Sequence, residues 1–330
     1  MTEAGNLEVE NGDARHGGRP SPHVAAAKGL RRAAGGLGAD DMSGVLTTMA
    51  ERLGPGMALL LIALLWAQPA MAAKPQRIVS TNVCTDQLLL SLVEPERILS
   101  LSYLSVDPRS SAYAAEAAPF PKNRGGAEAV LAMRPDLVVT GTYARPQSVA
   151  LLRRFGVEVV TFDPAASLAD VQRSILKMGK AVSEAERAAA KVARIDAALA
   201  ALPPVADAAA RPVYADYGLN GWTSGDGSLI ADLAAKAGLR PYGDVAGFTG
   251  ARQVSLEQFL TAPPDIIDIG DDFSDPPTLS VLQFRHPALR AVLAASETVS
   301  VPAKYTLCGT VRSLAALDLL VAARLAAEAR

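Results

Sequence analysis

The chain has 330 residues, 50% of them hydrophobic, and its 32 Lys and Arg nearly balance 34 Asp and Glu for a formal net charge of −2. That length suits one large or two medium domains. No basic run occurs after residue 73, which argues against nucleic acid as a partner.

Residues 1–41 are rich in Gly, Ala, Arg and Glu and carry no hydrophobic period, which predicts a disordered extension, untranslated if the start is Met42, Met49 or Met57. Residues 42–72 read differently. Arg52 supplies positive charge, Met57 to Ala67 is an unbroken apolar run, and Ala70-Met71-Ala72 places small residues at a cleavage spacing. The pattern is that of a secretory signal peptide cut before Ala73. The run is shorter than the roughly 20 apolar residues of a membrane span. His16 and His23 precede the cut, leaving His286 as the one histidine beyond it. That disfavours a His-rich zinc site and a His-dependent nucleophile triad.

From Lys74 onward short β-rich runs alternate with helical patterns. Strands are expected at 77–81, 97–102, 137–140 and 157–162, with a helix over 86–93 and another ending near Gly156. Ser167 to about Lys180 is a further helix capped by Ser167 and Asp170. Ser183 to Leu202 follows, dense in Ala, Glu, Lys, Arg and Leu, with Ser183 and Glu186 at a capping-box spacing and Pro203-Pro204 as a stop. The rhythm then restarts: a strand over 211–217, a helix over 228–237, strands at 266–269 and 298–301, and a closing helix over 313–327. The fold class is α/β with parallel sheets.

The halves share a pattern. Glu128 precedes Pro135-Asp136 by seven residues at a helix-to-strand junction, and Glu257 precedes Pro264-Asp265 likewise. This predicts two similar α/β lobes, an N-terminal one over 76–164 and a C-terminal one over 211–330, joined by linker helices over 165–204.

These residues carry a resemblance. The Arg77-Ile78-Val79-Ser80 opening strand, Arg134-Pro135-Asp136-Leu137-Val138, the long linker helix, Thr223-Ser224-Gly225 and Val254-Ser255-Leu256-Glu257 follow in the order seen in the periplasmic substrate-binding proteins of iron-siderophore, haem and vitamin B12 ABC importers. The chain from about Gln76 to the C-terminus resembles that family, whose Fe/B12 domain is a class III periplasmic binding fold. The resemblance implies two Rossmann-like lobes joined by a single long α-helix, a metal-chelate ligand (ferric siderophore, haem or cobalamin) in a shallow cleft, and no catalytic activity or resident cofactor. It implies a monomer that works with a membrane permease, with Glu128 and Glu257 docking onto it, one from each lobe.

Ligands of open α/β sheets bind beyond the carboxyl ends of the strands. The loops there hold Tyr103, Tyr143, Tyr217, Trp222, Phe248 and Tyr305, although aromatics make up only 5% of the chain. Flat rings with polar tips suit a large amphipathic ligand. Arg124 and Arg252, with Arg109, Arg145 and Arg312 nearby, suit carboxylate groups, and Tyr103 or Tyr217 suits haem iron. Asn123-Arg124-Gly125-Gly126 departs from the family, whose B12 binders carry an aromatic there. Cys84 and Cys308 are the only cysteines and fall in cleft loops of opposite lobes. Three readings stand open: a disulfide, thiols touching ligand or a soft metal, or unrelated buried thiols. Rival functions are a metal-binding protein using both cysteines with Asp271 or Asp272, and a two-lobe α/β enzyme using Asp86 and Asp216. No Gly-x-Gly-x-x-Gly loop supports the enzyme.

Overall fold

The computed structural model describes residues 74–205, 210–270 and 285–330. The extension over 1–41, the signal region over 42–72, and Asp271 and Asp272 lie outside the described residues. Lys74 to Arg330 forms one compact unit.

The first lobe opens with β1 (Ile78–Ser80), buried at every position, and α1 (Val83–Leu92). Asn82 caps α1, its side chain accepting from Cys84 N at 2.9 Å and Thr85 N at 3.4 Å. Then come β2 (Ile98–Ser102), the short α2 (Ala114–Ala117), β3 (Lys122–Asn123), α3 (Ala127–Ala132), β4 (Leu137–Gly141), α4 (Pro146–Arg154) and β5 (Glu158–Phe162). The strands pair in parallel in the order β3-β2-β1-β4-β5. Such an order reverses direction at β1, the place where doubly wound sheets open a crevice.

Two helices follow, α5 (Leu168–Ala181) and α6 (Ala185–Ala200), packed on each other. Gly179 allows that approach: a Cβ there would stand 2.3 Å from Cβ of Ala188. The anticipated Ser183–Glu186 capping box does not form. Ser183 sits in the left-handed region at φ 57° and Glu184 takes the cap position without a side-chain cap bond. The Glu184 carboxylate instead binds Arg97 Nη1 at 2.6 Å and Lys74 Nζ at 2.6 Å. A buried guanidinium left unpaired costs more than a helix cap returns, so the ion pair wins.

The second lobe runs β6 (Val213–Asp216), β7 (Trp222–Ser224), α7 (Leu229–Lys236), β8 (Arg240–Pro241), α8 (Tyr242–Ala246), β9 (Ala251–Gln253), α9 (Leu256–Thr261), β10 (Ile266–Asp268), α10 (Pro287–Ala295), β11 (Glu297–Val299) and α11 (Leu314–Glu328). Its main sheet is parallel in the order β11-β10-β6-β8, and β7 and β9 form a separate antiparallel ladder. The α9 start carries a true capping box, Ser255 with Gln258.

Both linker helices bridge the lobes. The first amide of α5, Leu168 N, donates to Asp232 Oδ2 of α7 at 2.8 Å, and its far end is held where Arg97 Nη2 donates to Val182 O at 2.6 Å. α6 starts beside the first lobe, with Arg187 Nη1 donating to Leu92 O at 3.0 Å, and hands over to Pro203 and Pro204, whose carbonyls accept from the buried Arg324 of α11. One apolar cluster therefore runs from Ile78 and Leu137 through Leu168, Ile175 and Ile195 to Tyr214 and Leu317. The lobes share a core, so separating them would expose apolar surface at about 25 cal/mol per Å².

Candidate functional site

The cavity with the clearest relation to strand ends lies at the carboxyl end of the second sheet. It has a volume of about 420 Å³ and is lined by Asp216, Trp222, Leu229, Asp268, Val301 and Leu307, among others. Local turns place these side chains. Gly221 has φ 75° and its missing Cβ would stand 2.3 Å from Val254 O, so only glycine lets the chain turn into β7 there. β7 is then held against β6 by Ser224 N donating to Asp216 Oδ1 at 2.7 Å. Trp222, at the start of β7, remains 53% exposed on the cavity wall.

Asp216 and Asp268 are register partners on neighbouring strands. Tyr214 Oη donates to Asp268 Oδ2 at 2.9 Å, and the amides of Gly270 and Val301 donate to Oδ1 at 2.8 and 3.0 Å. Burial pushes the Asp216 carboxyl up to about 6, opposed by its Ser224 hydrogen bonds and reinforced by Asp268. Among the described residues no Lys, Arg or His forms an ion pair with Asp216. The described residues lining the cavity include no cation.

At the first lobe's strand ends, Tyr103 is 48% exposed with the Arg124 guanidinium 4.7 Å above its ring, and Tyr143 is 88% exposed. Asp86 is not the cap of α1. Its buried carboxylate accepts from Ser102 N at 3.1 Å and from the Ser102 hydroxyl, fixing the end of β2 just before Tyr103. Burial raises its pKa to about 6.

The Cys84 and Cys308 sulfurs are bonded, with Cα atoms 4.9 Å apart. The bond joins the first turn of α1 to the loop before α11, across the lobes and next to the cavity-lining Leu307. Cys84 Sγ lies 3.8 Å from Leu307 O, a contact only, since a bonded sulfur has no hydrogen to donate. A bonded pair also offers no thiolate to a metal, which removes the metal site built on both cysteines. Arg312 adds a second interlobe tie, stacking 3.7 Å over the Tyr113 ring and binding Ala112 O and Glu116.

Four expected contacts stand elsewhere. Tyr217 is buried and stacked on Phe259 at 4.2 Å, and burial raises its pKa, which does not favour a tyrosinate for iron. Alternation along the chain turns Tyr217 to the face opposite Asp216. Phe248 and Arg252 line a different cavity of about 280 Å³ with Tyr242 and Gln258, where Arg252 lies 5.9 Å over the Phe248 ring. Tyr305 packs against the shared core and lines a groove with Tyr113, Arg194 and Arg312. Asp268 is the cavity group that the sequence reading lacks, and Asp216, considered there only as an enzyme's acid or base, lines the same cavity. A strand-end Asp beside a Thr-Ser-Gly turn was the available signal for Asp216.

Glu128 and Glu257 occupy matching places: both are exposed and both lie in the first turn of the helix that precedes a central strand. His286 caps α10, its Nδ1 accepting from Ala288 N at 3.3 Å.

These features define a two-lobe binding protein of parallel sheets with a pocket at the strand ends. The chain belongs to the periplasmic binding protein family, whose model matches residues 78–280. A cobalamin-binding protein of Halobacterium salinarum is 26% identical over 202 residues, 60% of this chain and 54% of the relative. The chain thus spans about half the length of the curated relatives it matches. Among solved structures, the periplasmic heme-binding protein RhuT from Roseiflexus sp. RS-1 in apo form superposes with a TM-score of 0.63 at 22% identity, covering 76% of this chain and 99% of that one. The periplasmic vitamin B12 binding protein BtuF of Vibrio cholerae gives 0.58 at 17%, covering 78% and 99%. These likenesses show the fold, the two-lobe class III architecture. The family is one of substrate-binding proteins, and this chain is a binding protein and not an enzyme.

Proposed function

We propose that this chain is the periplasmic solute-binding component of an ABC importer, exported by a signal peptide cut before Ala73. It captures an iron-siderophore, haem or corrinoid between its lobes as a monomer and delivers it to the membrane permease. The observation that carries the reading is the cavity at the second lobe's strand ends, with half-exposed Trp222 on its wall, beside an interlobe strip held by Cys84–Cys308. Exposed Tyr103, Arg124 and Tyr143 supply the first lobe's share of the contacts. Glu128 and Glu257, equivalent in the two lobes, give a basic partner two anchor points and hence a register. Calorimetric titration with cyanocobalamin, haemin and ferric hydroxamates tests capture, and micromolar or tighter binding of one of them is expected. Reversing Glu128→Arg and Glu257→Arg together is expected to abolish permease docking while ligand affinity stays; lost ligand affinity would place those residues in the site.

A further inference from the structure

The cavity floor is acidic, and this restricts what enters it. Among the described residues Asp216 and Asp268 are the only charged side chains lining it, and they stand side by side on β6 and β10. Asp268 is held by Tyr214 and two backbone amides. Asp216 takes hydrogen bonds from Ser224 and has no ion pair with any described cation. The remaining lining is largely apolar, with Leu229, Ile230, Val301 and Leu307, and Trp222 presents its indole at the wall. A carboxylate in a poorly solvated pocket repels a second anion and attracts N–H donors, and an indole face attracts cations.

The first lobe's rim has the opposite character. Arg124, Arg145 and Arg109 are exposed there, Arg124 stacked on Tyr103. A ligand spanning both walls therefore meets acceptors at one end and guanidinium donors at the other.

Building on the binding role proposed above, we infer that Asp216 is a specificity-determining residue that selects ligands whose inserted end is neutral or cationic and carries N–H donors, a primary amide or an ammonium, and rejects an inserted carboxylate. The Asp216 carboxylate accepts the ligand's N–H at the floor while Trp222 covers its side. Haem propionates or a carboxylate siderophore, if bound, point toward the arginine rim of the first lobe.

Matched probes test this. Cyanocobalamin is paired with its derivative in which peripheral amides are hydrolysed to carboxylates, and ferrioxamine B, which ends in an ammonium, with its N-succinyl derivative, which ends in a carboxylate. Calorimetry at neutral pH on the full chain is expected to show at least tenfold tighter binding of the amide or ammonium member of whichever pair binds. Asp216→Asn, which keeps an oxygen for Ser224 N, is expected to erase that preference. Leu307→Lys, an exposed change that leaves Asp216 intact, is expected to reverse it. A wild-type preference for the carboxylate member, or a preference untouched by both variants, overturns the inference while leaving the binding role in place. If only haemin or ferric citrate binds, Arg124→Ala is expected to weaken it and Asp216→Asn to leave it unchanged; tighter binding in Asp216→Asn with no loss in Arg124→Ala would place the carboxylates at the floor and overturn the inference. If no probe binds, the binding role falls, and this inference with it.

Discussion

Asp136 and Asp265 do the same work in the two lobes. Asp136 accepts from Gln76 N at 2.7 Å and Arg77 N at 3.0 Å at the entry to β1, and Asp265 accepts from Val213 N at 2.7 Å at the entry to β6. Each aspartate opens the strand that pairs with the first strand of its own lobe. The repeated Pro-Asp is thus a fastening between neighbouring strands, separate from any ligand chemistry. Asp136→Ala and Asp265→Ala are each expected to cost about 1.5 kcal/mol, the lower end for hydrogen bonds to a charged group. Denaturant unfolding checks it, with binding unchanged in the fraction that remains folded.

The buried ion pair at the linker turn should matter more. Arg97 and Glu184 are 5% and 9% exposed, and Arg97 also donates to Val182 O and Pro75 O. Removing the carboxylate by Glu184→Ala leaves a buried guanidinium short of its partner, at a cost of about 3 kcal/mol. An urea midpoint within error of wild type would show that the α5–α6 turn is not fastened to the first lobe in this way.

Reduction of Cys84–Cys308 removes a crosslink between residues 224 apart in sequence. Chain-entropy arguments give roughly 5 kcal/mol for a loop of that size. Cys84→Ser with Cys308→Ser should lower stability accordingly and loosen the strip around Leu307. Thiol titration of the denatured wild-type protein should find no free thiol.

Stability should fall as pH rises from about 4 to 7. Asp86 and Asp216 hold protons up to about 6 when folded, against 3.8 as the ordinary value. Between those limits the folded state binds more protons than the unfolded one, so the stabilisation is complete below 3.8 and is lost through 6. The loss amounts to about 2–3 kcal/mol per group as an upper bound. Glu94 and Glu257 shift the other way, but both are at the surface and contribute little. Unfolding at pH 4 and pH 7 measures the difference, and Asp86→Asn should shrink it.

Much of the fold is legible in the sequence because its signals are local. The β-branched runs at 78–80 and 137–141 and the Ser167 cap depend on neighbours a few residues away. The bridging role of α5 depends on Asp232, 64 residues on, which no local pattern reveals. The site is less legible for a related reason. Loop membership brought Tyr217, Phe248, Arg252 and Tyr305 together, but the turn at Gly221 and strand alternation decide which way each side chain points. Asp216, one residue before Tyr217, faces the cavity because of that alternation. Ser183 and Glu186 fit a capping motif, yet the buried Arg97 claims Glu184 and sets the turn differently.

The central claim is that ligand sits against the second lobe's strand ends between the two lobes. Trp222 is the only tryptophan among the described residues, so its emission reports on that wall directly. Titration with the ligand found by calorimetry is expected to quench Trp222 emission saturably, with the same affinity, and Trp222→Phe should remove the signal and weaken binding. Full affinity in Trp222→Phe, with wild-type emission unchanged on saturation, would contradict the account.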